Sequence, residues 1–114
     1  MNQSESFVKG DDNQWQDIGG GLSRQIMGWD AELMMVRVRF PKGGVGTLHS
    51  HPHRQVSYVE SGSFEVEIAG KKQLLRAGDS FYVPPNAEHG AVAQEDSVIL
   101  DVFSPAREDF VQAT

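Results

Sequence analysis

Through much of this chain apolar and polar residues alternate one for one. In LMMVRVRF, Leu33 to Phe40, residues Met34, Val36, Val38 and Phe40 share one parity, and Arg37 and Arg39 the other. Successive side chains of a strand point to opposite faces, so the pattern predicts a strand with one buried side. FEVEI, Phe64 to Ile68, repeats it with Glu65 and Glu67 toward water, and SVILDVF, Ser97 to Phe103, predicts a last strand. RAGDSFYVPPN reads as a turn, a strand and a proline stop, and VSYVESGSFEVEI as a hairpin turning at Ser61-Gly62. The tail SPAREDFVQAT has room for one short helical turn. No long segment carries a helical period. Short strands between closely spaced turns predict an all-β protein, a sandwich or a barrel.

The length of 114 residues suits one domain with its own core. Residues 1–14 are polar and expected to be loosely attached, 15–110 form the folded domain, and 111–114 are a tail. There is no cysteine, so a disulfide framework, a zinc ribbon and a thiol nucleophile are excluded, and any metal must be held by nitrogen and oxygen. A formal charge of −6 without a basic run argues against nucleic acid and anionic membrane as partners. MNQSESFVKGDDNQ lacks the basic and apolar parts of a signal peptide, and no apolar run approaches membrane length, so a soluble cytoplasmic protein is expected.

Three of the 4 histidines crowd into HSHPHRQ, His49 to Gln55. On a regular strand His49, His51, His53 and Gln55 would share one face, although Pro52 requires an edge or a bend nearby. Two imidazoles at i and i+2 can bite one ion. A histidine-rich surface loop is the plainer alternative. Three alternating histidines with a fourth at His89 favour the metal.

In the last strand Ser97, Ile99, Asp101 and Phe103 share a face, and Val98, Leu100 and Val102 the other. An aspartate between Ile99 and Phe103 either looks into a polar cavity or lies at the surface. A buried carboxylate without partners is costly, so one inside usually serves a purpose. Arg107 could pair with Glu108 or Asp109 at the surface, and Phe103 could be plain core.

Two spacings carry a family resemblance. Gly43, five residues, His49-Ser50-His51, three residues, Gln55, six residues, Gly62 resembles the first cupin motif, with Gln55 where glutamate is usual. Gly78, five residues, Pro84 and then His89 resembles the second, with Asn86 in place of a glycine and Ala93 in place of an asparagine. Asparagine tolerates a left-handed turn, so the first change is mild. The resemblance implies a jelly-roll barrel (a double-stranded β-helix) holding one divalent ion on His49, His51, Gln55 and His89. His53 falls outside the spacing and is expected either behind the ligands or, in preference, exposed. Nickel, zinc, iron and manganese all tolerate such donors. Three imidazoles and an amide are neutral, so the ion would keep its full charge toward an anion.

GDSFYVPPNAEHG followed by LDVFSPAREDF further resembles the pectin-degradation cupins of the KdgF type. That resemblance implies an enzyme that opens 4,5-unsaturated monouronates, released from pectin or alginate, to a linear keto form. It also implies Asp101 and Arg107 as catalytic residues, Phe103 and Arg107 as substrate contacts, and a homodimer. The alternatives are a metal-dependent cupin oxygenase, which more often has a glutamate ligand, and a non-catalytic sugar-acid-binding cupin. Arg37 and Arg39 are expected on a solvated face, Trp15 and Trp29 in packing or an interface, Tyr82 in packing, Glu88 exposed, and Gly19 to Gly21 in a turn.

Overall fold

The computed structural model describes residues 2–11 and 14–111. Its strands are β1 (Gln16–Gly19), β2 (Leu22–Asp30), β3 (Leu33–Phe40), β4 (Val45–His49), β5 (Arg54–Ser61), β6 (Ser63–Ile68), β7 (Lys71–Arg76), β8 (Ser80–Val83), β9 (His89–Ala93) and β10 (Ser97–Ser104), followed by one helical turn, α1 (Glu108–Val111). They form a six-stranded sheet, β1-β2-β3-β10-β5-β8, and a four-stranded sheet, β4-β9-β6-β7. All pairings are antiparallel. The two sheets face one another as the halves of a jelly-roll barrel.

The alternation in β3 sets the core. Met34, Val36, Val38 and Phe40 are buried, together with Val59, Ile99 and Phe103 from the same sheet. Phe64 and Val66 close the core from β6, and the Phe40 and Phe64 rings meet edge to face with centroids 4.9 Å apart. Each such side chain contributes about 1.5–3 kcal/mol through burial, and an aromatic pair about 1 kcal/mol more. Arg37 and Arg39 lie on the outer face, against Trp15, and Arg37 pairs with Glu60. Trp29 packs partly buried against the core, and Glu88 is exposed. Tyr82 is 52% exposed instead of packed, because its parity on β8 points it out of the barrel while Phe81 points in.

The structure corrects two expectations of chain path. The hairpin expected at Ser61-Gly62 does not form: β5 pairs with β10 and β8, whereas β6 pairs with β7 and β9. The chain crosses from one sheet to the other there. Gly62 has φ 79°, and a Cβ on it would fall 2.0 Å from Ser97 Oγ. That hydroxyl accepts from Ser63 N (3.0 Å) and donates to Glu95 O (2.7 Å), so it cannot move aside cheaply. The described part of the N-terminal segment is also pinned rather than loose. Ser4 N donates to Trp29 O at 2.8 Å and Trp29 N donates back to Ser4 Oγ at 2.9 Å. Gln25 Nε2 donates to Gly10 O, and Gln25 is fully buried. Residues 1, 12, 13 and 112–114 of the expected N-terminal segment and tail lie outside the described residues.

Gly62→Ala combines left-handed strain with overpacking, so it is expected to cost about 2–5 kcal/mol in urea or thermal unfolding. Gly19→Ala, at φ 90° with nothing near its Cβ, should cost only about 1–2 kcal/mol. Equal losses would show that the crossing is not held by this close approach.

Candidate metal centre

Two strand registers and one loop build the site. In the four-stranded sheet His49 of β4 lies directly opposite His89 of β9, and their ring centroids are 4.4 Å apart. In the six-stranded sheet β5 and β10 set Gln55 opposite Phe103 and Ser57 opposite Asp101. The strand does not continue through Pro52. Residues 50–53 form an irregular link between β4 and β5, and it turns the His51 ring inward beside His49 and His89.

His49, His51 and His89 each offer a ligand atom within 4.8 Å of the others. Neighbouring nitrogens on one ion stand about 3 Å apart, so the three rings could hold a metal after closing by about 1–2 Å. Their tautomers suit the task. His49 Nδ1 donates to Thr47 O at 2.8 Å and His89 Nδ1 to Ala87 O at 3.0 Å, which leaves both Nε2 atoms with free lone pairs. His89 Nε2 is buried and has no partner among the described residues. Burial above all, then the charge of Arg107 and the nearby imidazoles, pushes His51 down to about 4. Burial also lowers His89. Both rings are therefore neutral near pH 7, as metal ligands must be.

Gln55 joins this cluster to the carboxylate. Its Nε2 donates to Ser57 Oγ (2.9 Å) and to Asp101 Oδ1 (3.3 Å), and its Oε1 lies 3.1 Å from His51 Nε2. Turning the amide over would set its oxygen against the carboxylate, so the network fixes Oε1 toward the histidines. The 3.1 Å spacing also fits two donors side by side on one ion. Ser57, fully buried, donates to Asp101 Oδ1 at 2.6 Å. Burial pushes the Asp101 carboxyl up to about 6, against the opposing pull of Ser57, Arg107 and Gln55.

A cavity of about 170 Å³ opens between the sheets, lined among others by His49, Gln55, His89, Asp101, Phe103 and Arg107. Phe103 forms a wall, edge to face with His51 and with Phe110 at 5.8 Å. Arg107 reaches the same cavity, but its fork also grips Asp109, with Nε to Oδ1 at 3.1 Å and Nη2 to Oδ2 at 3.0 Å. Arg107 thus lines the cavity and holds an ion pair at once. A larger open groove, about 590 Å³, runs between the N-terminal segment and β2, with Glu5 and Lys9 as its only charged side chains among the described residues.

His53 is partly buried rather than exposed, because the link after Pro52 folds its ring to 5.2 Å from His51. It stays outside the three-histidine group. Ser57 and Arg24 belong to the site without a motif to announce them. Ser57 follows Gln55 by two positions on β5, so alternation alone points to it. Arg24 lies on the parity of Leu22 in β2, and both residues line the cavity.

Comparison with known proteins agrees with this geometry. Residues 36–103 match the Cupin domain family. The chain is 47% identical over 103 residues to the pectin degradation protein KdgF of Dickeya dadantii (strain 3937), covering 89% of this chain and 94% of that one. An RmlC-like cupin from Shewanella frigidimarina NCIMB 400 superposes with a TM-score of 0.95 at 52% identity, over 96% of this chain and 99% of that chain. KdgF from Halomonas sp. superposes with a TM-score of 0.90 at 45% identity, over 94% and 99%. With its spacing, fold and relatives in agreement, this chain belongs to the cupins and, among them, to the family of the pectin degradation protein KdgF.

Proposed function

We propose that this protein is a pectin-degradation enzyme that converts 4,5-unsaturated monouronates, from pectin or alginate, to linear 4-deoxy-5-keto-uronates. The observation that carries the reading is a single cavity lined by histidines of a group that could hold a metal, a half-buried carboxylate and a guanidinium. The relatives named as pectin degradation proteins support the substrate class.

The reaction is an isomerisation. The C1 hydroxyl loses its proton, the bond from C1 to the ring oxygen breaks, and C4 gains a proton as C5 becomes a ketone. One carboxyl that accepts the first proton and returns it to carbon balances the whole change. Asp101 is that group in this reading. Ser57 and Gln55 hold its Oδ1, and burial keeps its carboxyl close to the range where both forms are populated. Arg107, oriented by Asp109, faces the substrate carboxylate. Phe103 packs on the sugar ring and keeps water from it. His49, His51, Gln55 and His89 would hold one divalent ion, with nickel, zinc, iron and manganese as candidates, and it would supply Lewis acidity at the oxygen where negative charge develops.

The reading also takes the protein as a cytoplasmic homodimer. The outer face of the six-stranded sheet exposes Leu33, Met35, Val56, Tyr58 and Tyr82, a surface suited to a second copy. Sedimentation should report twice the 12.6 kDa chain mass, and a monomer at micromolar concentration would contradict this.

Two variants separate the roles. Gln55→Ala should weaken metal retention at least about tenfold by elemental analysis after dialysis, and unchanged content would remove Gln55 from the ligand set. Asp101→Ala should keep the metal but slow the loss of the substrate's conjugated-alkene absorbance about 10²–10⁴-fold. Near-normal turnover would refute its part. Oxygen uptake during turnover would favour the oxygenase alternative.

A further inference from the structure

Arg24 brings a second guanidinium into the cavity. It sits on β2 opposite Val38 of β3, on the inward face, between the apolar Leu22 and Ile26. An arginine there must either pass out to water or meet something that repays its desolvation. Arg24 is half-buried at the rim of the cavity, where a ring contact offsets part of that cost. Its guanidinium carbon lies 3.8 Å from the centre of the Phe110 ring, and that of Arg107 lies 4.3 Å from the same centre. Two cations are therefore held against one aromatic ring at the wall of the cavity.

Their partners differ. Arg107 is engaged by the carboxylate of Asp109 through two hydrogen bonds. Arg24 donates Nε to the neutral Gln16 Oε1 at 3.1 Å, and among the described residues no carboxylate forms an ion pair with it. Burial and the nearness of Arg107 both disfavour its charge, and Asp109 only partly offsets them. At this wall two guanidiniums meet one carboxylate, Asp109, while the cavity's other carboxylate, Asp101, is held by Ser57 and Gln55. A small anion entering the cavity would complete the wall.

We propose that Arg24 binds the carboxylate of the sugar acid together with Arg107, and so selects uronates over neutral sugars. The proposal rests on the uronate reading of the site and assigns to it a residue on a different strand from the other functional groups. Arg24 lies away from the three histidines in sequence and ligates nothing, so its loss should be felt in substrate binding rather than in metal content or proton transfer. Its Nε is spent on Gln16, which leaves the two terminal nitrogens to face a carboxylate.

The test compares wild type, Arg24→Met and Arg24→Lys, each loaded with metal, on lyase-released unsaturated monouronate. Methionine keeps the packing on Phe110 without the charge. Arg24→Met should raise KM about tenfold or more with kcat within about threefold, and Arg24→Lys should recover part of the loss. Metal content and melting temperature should match wild type. A wild-type KM in Arg24→Met, or a loss confined to kcat, overturns the proposal. If Arg24→Met does not fold, Arg24→Lys replaces it: a raised KM upholds the proposal, and a wild-type KM overturns it. A wild type inert toward the monouronate sinks the proposed reaction instead. Arg24 is then judged by calorimetric titration with galacturonate and galactose. Binding of galacturonate alone, weakened about tenfold in the variant, upholds it, and equal binding by variant and wild type, or none by either, overturns it.

Discussion

The amide of Gln55 is the joint on which this site turns. It turns its oxygen to His51 and its two hydrogens to Ser57 and Asp101. No other side chain of that length does both. A glutamate there would set a second negative charge beside the half-buried Asp101 and could donate to neither Ser57 nor Asp101. A neutral amide holds the aspartate in place, leaves the charge of a bound ion undiminished and commits its own oxygen to one direction. The departure from the usual cupin glutamate is thus tied to the carboxylate on β10.

The fold delivers these groups by register. Backbone ladders position His49 against His89 and Ser57 against Asp101, so four side chains of the candidate site are located by strand pairing rather than by loops. Strand pairing tolerates no single-residue slip, since a slip would turn the whole set out of the barrel. The apolar half of the same interior, from Met34 to Phe40 and across to Phe64, holds the two sheets at the separation the site needs. His51 comes from the link broken by Pro52, and its ring is held by Phe103 and the neighbouring imidazoles.

Much of this was legible in the sequence, for definite reasons. Leu33 to Phe40 alternates without exception, so its buried face could be read directly, and His49, His51, Gln55 and His89 follow a spacing that the family shares. Asn86, read as a tolerable replacement for glycine, has φ 68°. Other features have no local signature. A strand, a glycine and a second strand look alike whether the chain folds back or crosses between sheets, and here Ser97, remote in sequence, decides it. The position of His53 depends on how the chain turns after Pro52. Arg24 is flanked by Ser23 and Gln25, and its inward direction follows from the parity of Leu22 and Ile26 together with its pairing with Val38.

Four neutral donors, from β4, the link after it, β5 and β9, should converge on one ion, with the Gln55 oxygen among them. Anomalous diffraction from crystals of the metal-loaded protein, recorded at the absorption edge of the bound element, tests this most directly. A single peak is predicted within coordination distance of His49, His51, His89 and Gln55 Oε1, with Gln55 Nε2 still turned to Asp101. A peak elsewhere, or an amide rotated to face its nitrogen toward the ion, would contradict it.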